Sequence, residues 1–282
     1  MDSNYKIMTM KPQEIKLASE WAALEGWNPG LYDAECFYRI DPNGCFIGKI
    51  KDKPISCILA VSYDDNFGFL GFYIVLPEYR KKGYGIALWK ESLLHFKNQN
   101  IGVDGVFEQQ ENYKKSGFKF AYRNIRYQGK SIKSNIIENN IVRLHNVPFD
   151  ELLQYDRPLF PSRRAEFLKC WTNQPESLSI GFVEHDKLKG YGVLRKCVTG
   201  YKIGPLFVDD EKIATIIFLQ LNNHLMVNTP VFLDVPEVNY AATRIAQGFN
   251  MKPVFGTARM YTKEKPAIDL NKIFGVTSFE VG

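Results

Sequence analysis

The chain has 282 residues, 45% hydrophobic and 24% charged, the composition of a soluble globular protein with room for two domains that need neither metal nor disulfide. Its formal net charge of +5 admits an anionic ligand, but the lysine-rich stretches lack the interleaved aromatics and recognised module of a nucleic-acid binder. The five cysteines (Cys36, Cys45, Cys57, Cys170, Cys197) form no C-x-x-C pair and have no histidine at metal-ligand spacing, so reduced intracellular thiols and no metal are expected. Met1–Met10 lacks the apolar core of a signal peptide, and the apolar run around Ile216–Leu219 is too short to span a bilayer. The expectation is a cytoplasmic protein off the membrane, a monomer or homodimer.

Cys45–Ile50 and Ile55–Val61 are β-rich runs joined through Lys51–Pro54, which predicts a hairpin. Phe67–Leu76 is almost continuously apolar, as a central strand buried on both faces would be. After Pro77 the period changes. Ile86, Trp89, Leu93 and Phe96 recur at three- and four-residue steps and predict an amphipathic helix from about Gly83 to Lys97. Ile101–Phe107 reads as a strand and Gln109–Ser116 as a short helix, with Gly117 as its C-cap and Phe118 opening another strand. The polar segment Gln128–Asn140 is the expected linker, dividing the chain into residues 1–134 and 135–282.

The second half repeats this order. Ser179–Glu184 and Gly190–Lys196 predict a hairpin around His185–Lys189, followed by a strand at Tyr201–Val208. Next comes a helix with Ile213, Ile217 and Leu221 on one face, a strand at Val231–Val235 and a helix ending at Gly248-Phe249. Val254–Tyr261 reads as a last strand. The fold class is α/β (α+β), and an internal duplication explains the repeat more economically than chance likeness of two halves.

Chemistry concentrates between the first buried strand and its helix, in Val75-Leu76-Pro77-Glu78-Tyr79-Arg80-Lys81-Lys82-Gly83-Tyr84-Gly85-Ile86. Gly83 and Gly85 clear side chains where backbone must approach a ligand, and the helix start offers unpaired N–H groups and a positive dipole end. Arg80, Lys81 and Lys82 add charge, so the loop suits phosphate. A Walker loop would need Gly-Lys-Ser/Thr, and a dinucleotide fingerprint would need a third glycine where Leu88 stands.

The same stretch resembles motif A of the GNAT superfamily of acyl-CoA N-acyltransferases, with Arg80, Gly83 and Gly85 in the places of Arg/Gln-x-x-Gly-x-Gly/Ala. Asn112-Tyr113-Lys114-Lys115-Ser116-Gly117-Phe118 is similar to the family's second signature, about thirty residues downstream. The resemblance covers nearly all of residues 1–130. It implies acetyl-CoA, with backbone near Tyr73 and Val75 holding the pantetheine arm and polarising the thioester carbonyl, and amides from Lys81 to Ile86 binding the pyrophosphate. Asn112 belongs to the same implied cofactor site. Direct transfer needs a neutral amine, a stabilised oxyanion and a proton for the leaving thiolate. Tyr113 is the candidate acid for the sulfur, and Glu78 is the candidate base.

Residues 135–282 are similar to the second domain of YitH-like tandem GNAT proteins, through Gly190-Tyr191-Gly192, Ile203-Gly204-Pro205-Leu206, Phe232-Leu233-Asp234-Val235-Pro236 and Gly248-Phe249. The implied fold is two GNAT-like domains in tandem, each a mixed, mostly antiparallel sheet flanked by helices. The second is degenerate: at its loop position stand Asp209, Asp210 and Glu211, without glycine, and Arg244 replaces the tyrosine. That half is expected to shape the acceptor site or a dimer-like interface. Arg163, Arg164, Asp156 and Asp234 are its candidate acceptor-binding residues, and the four histidines carry no assigned role. The expected activity is acetyl transfer to the amine of a small molecule or amino acid derivative. The alternative is a non-catalytic CoA-binding or interaction protein with a decayed site.

Overall fold

The computed structural model describes residues 2–282, and Met1, where the segment inspected for a signal peptide begins, lies outside them. The first half runs β1 (Tyr5–Thr9), α1 (Ile15–Leu24), α2 (Asp33–Ile40), β2 (Cys45–Ile50), β3 (Lys53–Ser62), β4 (Phe67–Val75), α3 (Tyr84–Leu93), β5 (Asn100–Val106), α4 (Gln110–Lys115) and β6 (Lys119–Lys130). The second half repeats that order: β7 (Ile141–Arg143), α5 (Phe149–Asp156), α6 (Ala165–Trp171), β8 (Ser177–Glu184), β9 (Lys187–Lys196), β10 (Tyr201–Val208), α7 (Glu211–Asn223), β11 (Pro230–Pro236), α8 (Tyr240–Gly248) and β12 (Lys252–Tyr261). A short β13 (Ile273–Gly275) follows, so the strand ending at Tyr261 is not the last.

Most of these elements form where the hydrophobic period places them. β4 is buried along its first four residues, as its apolar run requires. Helix α3 departs from the reading. It ends at Leu93, and its core side is Tyr84, Leu88, Trp89 and Ser92, while Ile86 is 54% exposed. The helix begins only after Gly83, so its buried stripe is set by Tyr84 and Leu88, four residues apart. Gly117 takes the left-handed conformation (φ +89°) expected after α4, whereas after α8 that role falls to Asn250 (φ +56°), not Gly248. Gln128, Gly129 and Lys130 belong to β6, not to the linker, because they pair with Phe232, Val231 and Pro230 of β11.

All strands belong to one sheet, in the order β1-β2-β3-β4-β5-β12-β6-β11-β10-β9-β8-β7, with β13 beside β10. Every pairing is antiparallel except β4 with β5 and β10 with β11. At its centre the halves exchange strands. β12 lies between β5 and β6, and β6 lies between β12 and β11.

The halves are joined a second time by a disulfide between Cys36 on α2 and Cys170 on α6, with Cα atoms 5.5 Å apart. This corrects the expectation of five reduced thiols; Cys45, Cys57 and Cys197 are buried free thiols. The partners are 134 residues apart, so no local spacing announces them. They meet because α2 packs on α6, with Phe37 stacked on Trp171 at 5.7 Å between centroids. No helix among the described residues is long and apolar enough to cross a membrane.

Candidate functional site

β4 and β5 pair only from Phe67–Leu70 against Asn100–Val103 and then part, opening a wedge toward their C-terminal ends. A bulge in β4 lies where they part, with Phe72 at φ +45° and the β3 register slipping between Cys57 and Leu59. The wedge forms a cavity of about 620 Å³ that reaches from the loop after β4 to side chains of the second half. It lies at the carboxyl ends of parallel strands, where α/β sheets place their ligands.

The mouth of the cavity is the loop before α3. Amides of Lys81, Lys82, Gly83, Tyr84, Gly85 and Ile86 find no acceptor within the protein among the described residues; Ala87 is the first to bond back, to the Gly83 carbonyl at 3.1 Å. Lys81 (φ +59°) and Gly83 (φ +89°) turn the chain into the helix, and glycine alone takes the second of these without strain. At Gly85 a Cβ would stand 2.8 Å from the Tyr73 hydroxyl and 3.2 Å from Val75 Cγ2, so this glycine lets the helix start lie close on β4. The arrangement is an anion cradle of converging N–H groups at the positive end of a helix.

The basic side chains contribute less than their number suggests. Arg80 is tied to the Val75 carbonyl through Nε at 2.8 Å and paired with Glu25. Lys82 turns back to the Glu78 carbonyl at 2.7 Å and lies over the Tyr79 ring. Lys81 remains at the cavity mouth.

Tyr113 lines the inner wall, its ring against Trp89 at 5.5 Å and so close to Gly105 that a Cβ there would lie 2.2 Å from it. Its hydroxyl bonds no protein group among the described residues, and burial holds its pKa above the ordinary tyrosine value, so it stays protonated at neutral pH. Tyr73 stands beside it in the wall, its own hydroxyl pushed up to about 12 by burial. Val75, Gly83, Gly85 and Ile86 also line the cavity. Lys82, Tyr84 and Asn112 do not: Tyr84 is buried under the loop, its hydroxyl bonded by the Asp2 amide, and Asn112 is bonded to Gln109. Glu78 is exposed, 3.8 Å from Lys53, and is not among the lining residues.

The opposite wall comes from a segment the sequence reading left unassigned. After β13 the chain crosses from the second half to the first and seats Phe279 and Glu280 in the cavity, beside Trp27, Arg126 and Phe255. Three of the four candidate acceptor residues hold this wall from behind. Arg164 forms a buried bidentate pair with Asp156 (2.9 and 2.6 Å) and donates to the Thr277 hydroxyl at 2.9 Å. Asp234 accepts both Nε and Nη2 of Arg126, at 2.6 and 2.7 Å, and its backbone carbonyl accepts the Val276 amide. Arg163 is exposed and away from the cavity. The signal for the wall was present in the apolar run Ile273–Val281, which follows a polar stretch and is buried throughout.

The second half has its own parallel pair, β10 and β11, but the space beyond it is taken. β13 pairs with β10 at Leu206 and Phe207, and Asn239 Nδ2 holds the carbonyls of Leu270, Asn271 and Ile273 at 3.0–3.1 Å. At the start of α7, Asp210 caps the Ile213 amide, Asp209 bonds Tyr155 and Lys272, and Glu211 pairs with Arg244. No glycine opens this helix start.

A splayed parallel strand pair, a bulged β4 and an amide cradle at the next helix define the site of a group-transfer enzyme that takes an acyl donor carrying phosphates. Comparison with known proteins agrees. The model for the acetyltransferase (GNAT) family matches residues 13–118, and that for the acetyltransferase (GNAT) domain matches residues 152–275. Holothin acyltransferase of Pseudoalteromonas sp. (strain SANK 73390) is 30% identical over 288 aligned residues, covering 99% of this chain and 98% of that protein. An uncharacterized protein of Caenorhabditis elegans is 25% identical, over 96% and 95% of the two chains. In fold, the chain is similar to a putative acetyltransferase from Pyrococcus horikoshii, with a TM-score of 0.83, 21% identity and 100% and 97% coverage. It is also similar to a tandem GNAT protein from the clavulanic acid biosynthesis pathway, with a TM-score of 0.63, 11% identity and 93% and 99% coverage. The chain belongs to the GNAT acyltransferases, with two GNAT domains in tandem. The family uses acyl-CoA, and the chain is an acyltransferase.

Proposed function

We propose that this acyltransferase takes the acetyl group of acetyl-CoA and transfers it directly to the amine of a small molecule or amino acid derivative. The observation that carries this reading is the run of six unpartnered amides, Lys81–Ile86, on a loop whose Lys81, Gly83, Gly85 and Ile86 line the same cavity as Tyr113. Acetyl-CoA supplies an activated acyl carbon and a thiol leaving group. The amides and Lys81 would hold its pyrophosphate, and the edge of β4 at Tyr73–Val75, which β5 leaves unpaired, would hold the pantetheine amides. Tyr113, kept protonated by burial, is placed to give its proton to the departing sulfur. Glu78 keeps no part in this reading, because its exposed carboxylate lies outside the cavity.

A relative that aligns end to end carries the name holothin acyltransferase, which supports acyl transfer here. The test is release of free thiol from acetyl-CoA by the purified protein across a panel of small amines. Amine-dependent thiol release together with the acetylated amine by mass spectrometry is expected. Tight CoA binding without turnover on any amine would favour a CoA-binding protein without catalytic function.

A further inference from the structure

The cavity holds three carboxylates, and two of them are already neutralised. Asp104 receives Arg259 through both guanidinium edges, at 3.0 and 2.6 Å, and a donor from Asn124 at 2.9 Å. Glu25 is paired with Arg80. Glu280 differs. It is 5% exposed, yet its carboxylate has no hydrogen bond and no ion pair among the described residues, and its oxygens are not sealed from solvent. Arg126, Arg195 and Lys202 feel its charge from a distance and their contacts go to Asp234 and Asp33, so these three cations against two carboxylates balance Glu280 at long range but leave it without a contact partner. A carboxylate that faces the cavity without a contact partner is placed to receive a charge-assisted hydrogen bond from a cationic ligand.

Its position is fixed by the hydrogen bonds of the segment around it. The Ser278 hydroxyl accepts the amides of Glu280 and Val281, both at 3.2 Å, and the Tyr63 hydroxyl donates to the Val281 carbonyl at 2.8 Å. Upstream, Thr277 is held by Arg164 at 2.9 Å and by Arg195 at 3.3 Å. The backbone of Glu280 lies directly on Gly71, where a Cβ would stand 1.8 Å from the Glu280 carbonyl oxygen. Gly71 is the residue before the β4 bulge at Phe72, so the tail sets Glu280 against the bulge where β4 and β5 part.

We propose that Glu280 is the catalytic residue that receives the acceptor's ammonium group and takes its proton, and that the acceptor is a primary amine with an apolar, planar body and no carboxylate. The inference rests on the acyl-transfer reading above. The walls around Glu280 are Trp27, Phe72, Phe255 and Phe279, which suit a flat apolar body. The cations within reach of an acceptor are spent: Arg126 gives both edges to Asp234 and the Trp27 carbonyl, and Arg80 is held by Glu25 and Val75. Lys81, the remaining lining cation, stands at the mouth where the pyrophosphate would lie, so an acceptor carboxylate beside Glu280 would meet its negative charge with no unpaired cation next to it.

The step balances. Glu280 takes one proton from the ammonium, and the C–N bond forms as the thioester C–S bond breaks. Tyr113 gives its proton to the sulfur and recovers one from the acceptor nitrogen. Glu280 then passes its proton to water, so each turnover releases one proton.

The test pairs phenethylamine with phenylalanine as acceptors and uses Glu280→Gln, which keeps the shape and removes the charge. Wild type should favour phenethylamine by at least about tenfold in kcat/KM. Glu280→Gln should lose about a hundredfold in turnover, within the usual range for a general base, with acetyl-CoA affinity by calorimetry within twofold of wild type. Intact cofactor affinity doubles as the check that the variant is folded. Equal use of the two acceptors by wild type, or wild-type turnover by Glu280→Gln, overturns this inference and leaves the acetyltransferase reading standing. Absence of thiol release by wild type with every amine overturns both.

Discussion

Single residues divide by how their role is encoded. Gly83 and Tyr113 were legible because a glycine before a helix and a tyrosine before Gly-Phe belong to local motifs, and the structure places both at one cavity. Glu280 was not legible, because it reaches the cavity through a chain crossing that no local pattern describes. Arg164, Asp156 and Asp234 are candidate acceptor-binding residues by sequence, but their geometry makes them supports for the segment after β13 and for Arg126. Two outcomes follow at this scale. Tyr113→Phe keeps the packing against Trp89 and removes the proton, so under the proposed mechanism turnover should fall about a hundredfold while CoA affinity stays near wild type. Steady-state kinetics and calorimetry check the split; an unchanged rate would leave Tyr113 as packing alone. Asp234→Asn leaves Arg126 buried without its counter-charge and should cost about 3–5 kcal/mol in chemical denaturation. Burial alone would favour the neutral acid, but Arg126 and Lys202 hold the Asp234 carboxyl below its ordinary value. A lowered folded-state pKa gives stability that is present above the unfolded value and lost as pH falls through the folded one. The gap between wild type and Asp234→Asn should therefore narrow as pH drops below about 3.9, and a gap independent of acid would contradict the assignment.

Elements were more legible than their partners. The β-rich runs of β2 and β3 and the apolar run of β4 report local burial, so they survive without knowledge of the rest of the fold. Pairing between β6 and β11, or between β12 and β5, depends on residues about a hundred or more positions apart and leaves no periodic trace. The helices α1, α2, α5 and α6 are absent from the sequence expectations, and the Cys36–Cys170 bond between two of them joins segments of different halves. The strand exchange has a consequence for the division at residue 134. An isolated 2–134 fragment would carry β6 with neither of its partners, and an open edge on β5 where β12 belongs. Unpaired edges are aggregation templates. Each half expressed alone should be insoluble or lack a cooperative melt, and co-expression of 2–134 with 135–282 should recover a soluble pair. A monodisperse, cooperatively melting 2–134 fragment would show that the exchanged strands are dispensable.

At the scale of the whole molecule, the duplication produces two similar clefts with opposite fates. The first is open and lined by unpartnered amides, and Gly83 carries no side chain into it. The second is closed twice over. Sequence alone exposed one reason: Asp209, Asp210 and Glu211 set like charge where a pyrophosphate would lie, at a cost on the order of 1–4 kcal/mol for even one contact pair between bulk-water and protein-surface screening. The structure adds the stronger reason, since β13 fills the space beside β10 and is fastened there by Asn239 and by the Asp234 carbonyl. The segment that closes the second cleft then continues into the first, where Phe279 and Glu280 line the cavity wall. One stretch of about ten residues thus fills the cleft of one half and walls the cavity of the other. The chain should bind a single CoA. Calorimetric titration should give a stoichiometry of one, and Asp210→Gly together with Glu211→Gly should leave it at one, because removing the charges does not remove β13. A stoichiometry of two in wild type would refute the closed second cleft; two only in the double variant would assign the exclusion to charge and not to the strand.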